Sequence, residues 1–187
     1  MKFYYTGNKK GGLPQPQGDL SLGGYVATSE VPDALLANLF DQVSLYTQRL
    51  NKAEYRVIAL FNDETTTYAN LKVWIDYLNQ ASDEVDAGVF QLGYAAFKAD
   101  NCGDLYVDSL GNAQAAPRGV TLVGADGESN ALALPNLEAG MYLALYLRRS
   151  LNPAFLAPLS DADLQSIRDG NLVLPVEEEV LVQLSWS

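Results

Sequence analysis

The chain has 187 residues, 48% hydrophobic and 19% charged, which suits one domain with its own core and excludes broad disorder. It contains no histidine and a single cysteine, Cys102. This rules out Ser-His-Asp and Cys-His catalysis, His-bearing zinc sites and an internal disulfide, and it fits synthesis in a reducing cytoplasm. The net charge of -11 is uneven: residues 1–52 hold five basic against four acidic residues, the remainder seven against nineteen. An acidic body repels nucleic acid. No apolar run approaches the roughly 20 residues of a membrane span, and the N-terminus lacks the apolar core of a secretory signal.

Residues 1–24 read as an extended arm. Pro14 and Pro16 oppose helix and six glycines punctuate the segment, yet Phe3, Tyr4, Tyr5, Leu13, Leu20 and Leu22, with Tyr25 just beyond, supply many apolar anchors. The alternatives are a flexible terminus and an arm ordered on a neighbouring subunit, of which the second is preferred. Pro32-Asp33 followed by Leu35, Leu36, Leu39, Phe40 and Val43 has helical spacing, and also suits a connector pressed onto the body. Residues 1–52 are thus expected as arm and connector, and 53–187 as the folded domain.

The stretch Glu54 to Tyr77 predicts a hairpin that organises the rest. Arg56 to Phe61 is nearly continuous in apolar character, Asn62-Asp63 opens a turn, and Leu71, Val73 and Ile75 alternate with Lys72 and Trp74. Further strands are expected at Val89 to Phe97, Leu105 to Val107, Val120 to Val123, Ala131 to Leu134, Met141 to Leu147 and Glu179 to Trp186. The run MYLALYL is apolar on both faces and predicts a central strand covered twice. Ser160 as N-cap predicts a short helix over Asp161 to Arg168, stopped by Gly170. Some eight short strands with peripheral helices argue for an antiparallel β-sandwich of jelly-roll or immunoglobulin-like type.

No catalytic, cofactor-binding or metal-ligating residue is assigned. Asp100, Asp104 and Asp108 lack calcium-loop spacing and read as solvated carboxylates, with a weak metal site as the alternative. Asn8-Lys9-Lys10-Gly11-Gly12 lacks phosphate-loop spacing, carboxylate pairs among 23 acids carry no specificity for glycosidase chemistry, and Cys102 reads as an inert thiol. Arg148-Arg149 marks a strand exit into solvent, or else a contact for the Glu177-Glu178-Glu179 run of another copy. Trp74 and Trp186 read as core or interface anchors rather than a sugar platform. The candidate assembly contacts are Phe3, Tyr4, Tyr5, Leu13, Leu20, Leu22, Tyr25, Arg148 and Arg149.

Several segments resemble tailed-phage virion proteins of podophages, including the crAss-like group. They are Ser21-Leu22-Gly23-Gly24-Tyr25, Val31-Pro32 with Leu39-Phe40 and Val43-Ser44, Glu54 to Asn62, Leu71 to Ile75, Asn101 to Tyr106, and Leu143 to Arg149. The resemblance implies β-sandwich subunits in many copies in a ring or lattice, without enzymatic activity. The partners it implies are copies of the chain and other virion proteins, at the head–tail connector, neck or tail. A capsid decoration protein and a carbohydrate-binding, receptor-binding module are the alternatives.

Overall fold

The computed structural model describes residues 1–7, 21–32, 39–40, 53–77, 88–99, 106–107, 116–151, 161–169 and 180–187. The chain is mainly β, arranged in two antiparallel sheets. The nine strands among the described residues are β1 (Lys2–Gly7), β2 (Gly24–Glu30), β3 (Ala53–Phe61), β4 (Lys72–Tyr77), β5 (Gly88–Ala99), β6 (Tyr106–Val107), β7 (Leu132–Ala133), β8 (Tyr142–Leu151) and β9 (Val180–Ser185). The larger sheet runs β5-β8-β3-β1-β2-β6 and the smaller β7-β4-β9. The expected helix forms as α1 (Asp161–Arg168).

β3 and β8 are the two strands whose sequences are apolar on both faces, and they lie side by side in the middle of the larger sheet. Their register runs unbroken from Ala53↔Ser150 to Phe61↔Tyr142. Period-two alternation then sorts their residues between two cores. Ile58, Leu60, Leu143, Leu145 and Leu147 face the smaller sheet, where Leu71, Val73, Ile75, Leu134 and Leu137 meet them. Val57, Ala59, Ala144 and Tyr146 form the opposite face with Val26 and Tyr55, against which Leu22, Val120 and Leu122 pack. Val57, Leu60, Leu71, Val73, Leu143 and Leu147 are fully buried. Each such side chain is worth about 1.5–3 kcal/mol relative to an exposed one.

The expected hairpin does not form, although both of its strands do. β3 pairs with β8 and β1, whereas β4 belongs to the smaller sheet and pairs with β7 and β9. A strand apolar on both faces needs long neighbours on each side, and β8 offers a full-length ladder that six-residue β4 lacks. The turn residues are instead spent on crossing between layers. Asn62, fully buried, donates from Nδ2 to the carbonyls of Thr66 and Leu137 at 2.8 Å each, and its Oδ1 accepts from Glu64 N at 3.0 Å. Tyr68 bonds Leu137 in both directions at 3.0 Å, and Leu134 N reaches Leu71 O at 2.8 Å. The chain therefore leaves β3 in one layer and enters β4 in the other.

The segment expected as a strand over 120–123 contributes one bridge. Leu92 and Val123 exchange N–H···O bonds of 2.9 Å, after which Ala125 O accepts from Ile75 N at 2.7 Å and Gly127 N donates to Ile75 O at 3.0 Å. Three residues thus step from β5 in one sheet to β4 in the other, which a strand continuing along either sheet cannot do. Gly93 permits the close approach: a Cβ there would lie 2.6 Å from Thr121 O and 2.8 Å from Val120 Cγ1.

Candidate functional site

The N-terminal anchors are not part of a separate arm over residues 2–7. β1 sits inside the larger sheet, paired with β3 from Lys2↔Phe61 to Tyr5↔Ile58 and with β2 on its other side. Its side chains follow the strand period: Phe3 and Tyr5 pack into the core between the sheets, while Tyr4 packs on the other face with Leu22. Strand pairing on both edges gives these aromatics a place within their own chain. Tyr5 is buried, and that desolvation raises its phenol above the ordinary value. The end of β1 and the residues that lead into β2 meet β3 in a buried polar knot. Thr6 Oγ1 and Ser21 Oγ both donate to Val57 O, at 2.8 and 2.6 Å, while Thr6 N and Gly23 N donate back to the two hydroxyls at 2.9 and 3.0 Å. Tyr25 lies half-buried in β2, opposite Tyr106. Leu13 and Leu20 lie outside the described residues, as do the aspartates at 100, 104 and 108, Cys102 and the acidic run 177–179.

The two arginines at the end of β8 point to opposite faces. Arg148 is half-buried and donates from Nη1 to Gln91 Oε1 on β5. Arg149 does not exit into solvent. It is buried, and its Nη2 meets Glu54 Oε2 at 2.5 Å, directly across the β3–β8 ladder. Arg56, two residues along β3 and so on the same face, is also buried and donates from Nε to Leu39 O at 2.7 Å. The Arg56 and Arg149 guanidiniums lie 5.0 and 4.8 Å from the Phe40 ring, which itself meets Phe90 edge-on at 5.8 Å. The sequence places Arg56 at the start of an apolar strand and does not by itself assemble this group. The available signal was Glu54-x-Arg56, two charges on one face of a strand otherwise rich in apolar residues.

Arg56 and Arg149 thus hold residues 39–40 against the end of the core. With both cations buried, Glu54 paired to Arg149 and Arg56 bonded to backbone carbonyls, the arrangement fixes packing. It places no nucleophile beside a base. Among the described residues no group of three or more His, Cys, Asp or Glu is placed to hold a metal ion.

Two aromatic surfaces remain. Tyr4, Phe61 and Tyr142 form a half-buried trio across three strands, with Phe61 and Tyr142 stacked at 4.2 Å and Tyr4 edge-on to both. Trp186 is 49% exposed and rests edge-on against Tyr68 at 5.1 Å. It adjoins β9, which pairs with β4 on one side and, among the described residues, with no strand on the other. Trp74 is half-buried beside the core and donates Nε1 to Asp76 Oδ1 at 3.2 Å.

Comparison with protein-family models, curated proteins and solved structures finds no match to this chain.

Proposed function

We propose that the chain is a non-enzymatic structural component of a tailed-phage virion. In this reading it is a β-sandwich of jelly-roll or immunoglobulin-like type, present in several copies at the head–tail connector, neck or tail. The observation that carries the assembly reading is the β9 edge. Val180 to Ser185 contains no charged residue, and Val182 and Leu184 remain only half-buried. Soluble monomers ordinarily blunt such edges with lysine, proline or a covering segment, and among the described residues β9 carries none of these. The virion setting comes from the resemblance, whose segments Glu54 to Asn62 and Leu143 to Arg149 hold most of paired strands β3 and β8. Further contacts are assigned to Leu13, Leu20 and Tyr25 and to Arg148. The acidic body disfavours direct nucleic-acid binding, and no membrane role is assigned.

The test is quantitative peptide mass spectrometry on gradient-purified particles grown from the genome that encodes this chain, with antibody labelling in electron micrographs. A fixed copy number and label at the neck or tail are expected; label over the shell identifies a decoration protein. Absence from particles refutes the virion reading. A second reading, carbohydrate binding, is favoured by the half-buried Tyr4, Phe61 and Tyr142 trio, since sugars stack on such rings. Titration with host-surface glycans decides it: saturable binding lost in Tyr142→Ala supports it, and no binding removes it.

A further inference from the structure

We infer that β9 is a self-association edge, on which a second copy of this chain adds its own β9 antiparallel about a twofold axis beside Val182. The inference rests on the assembly reading and names its first partner.

The backbone geometry selects the groups on offer. In an antiparallel ladder, successive residues point their N–H and C=O alternately to one neighbour and the other. Ile75 spends both its groups on the 125–127 side, away from β9. Its register partner Val182 therefore points its own N–H and C=O outward, as do Val180 and Leu184 two residues to either side. Three outward residues spaced by two can pair in full with their own copy in one antiparallel register. Val182 lies opposite Val182, and Val180 opposite Leu184.

Charge and packing name the occupant. Two chains of net charge -11 repel, so they approach at least cost along a strand without charge. Burial falls from complete at Val73 and Ile75 to partial at Val182 and Leu184 one strand outward, and Trp186 stands exposed at the strand's end. A second β9 extends the sheet over these side chains. Among the described residues the other edges are less suited: β6 and β7 have two residues each, and β5 is met at Leu92 by Val123.

The experiment is sedimentation velocity on the full chain over a wide concentration range, with Trp186 fluorescence as a second readout. Six-residue strands make a small interface, below the ~1,200 Å² of standard complexes, so a concentration-dependent dimer with blue-shifted emission is expected. Val182→Pro removes the outward N–H at the axis while leaving the β4 bonds intact, as an edge strand allows. It should weaken association by about tenfold or more, from two lost hydrogen bonds per dimer. Val180→Pro, at the first strand position, is the companion if Val182→Pro does not fold. A wild-type monomer at every concentration overturns the inference. So does a folded proline variant that dimerises as tightly as wild type. In either case the chain's presence in particles is read independently and the virion reading stands or falls on that alone.

Discussion

The Glu54–Arg149 pair is the feature on which perturbation is most informative. Both side chains are about nine-tenths buried, their contact is 2.5 Å, and Arg149 also faces the Phe40 ring at 4.8 Å. Removing one partner strands the other's charge in a site with little water, at a cost of about 3–5 kcal/mol. Glu54→Leu and Arg149→Met should therefore each destabilise by that order, Arg149→Met also losing about 0.5–2 kcal/mol of ring attraction. Replacing both together, as Glu54→Leu with Arg149→Met, removes the buried charges along with their attraction. Well-packed apolar replacements of buried pairs are often neutral or better, so the double variant should lie within about 2 kcal/mol of wild type. Urea unfolding followed by near-UV circular dichroism measures all three, with unchanged m-values confirming a common two-state transition. Two singles of about 3 kcal/mol or more and a double within about 2 kcal/mol imply a coupling of about 4 kcal/mol or more from the cycle. Single variants costing under about 1 kcal/mol, or strictly additive effects, would refute the account of the pair as a buried, mutually dependent clamp.

Three other outcomes follow from the geometry. Gly93→Ala forces a methyl group against Thr121 O and Val120, so the 120–123 segment must shift, at about 1–3 kcal/mol by thermal or urea unfolding; an unchanged midpoint would mean the segment does not lie there. Deleting residues 1–7 removes a strand paired on both sides and exposes the edges of β2 and β3, so the truncated protein should lack a cooperative transition; a folded, soluble product would restore the arm description of this segment. Glu138 accepts from Lys98 Nζ at 2.6 Å, and this hydrogen bond holds its carboxyl below the ordinary value. The stabilisation is therefore present above the unfolded value and is lost as pH falls through the lowered folded value. Carboxyl NMR titration of wild type and Lys98→Met checks this, the variant titrating at higher pH than wild type.

Local composition was sufficient for β3, β4, β5, β8, β9 and the α-helix, while β1 and β2 were hidden by the arm reading and the strand expected over 120–123 forms only a bridge. Alternation placed Leu71, Val73 and Ile75 on a buried face, double apolarity marked β8 as central, and the helix expected over Asp161 to Arg168 forms as α1, because these signals act within a few residues. The pairing of those strands was not legible. Asn62-Asp63 satisfies a hairpin turn and a crossing between layers equally well in sequence, and only the ladder from β3 to β8 decided between them. The same limit applies to β1. Its aromatics announce that something must cover them, while the choice between a neighbour and the chain's own sheet depends on contacts some fifty residues away at Ile58 and Leu60. The charged group around Phe40 joins residues 39, 54, 56, 90 and 149, so no window of sequence contains it. Sequence thus determined which faces had to be buried, since burial is a property of each side chain. Tertiary structure decided what they were buried against, since pairing is a competition among distant strands for the same edge.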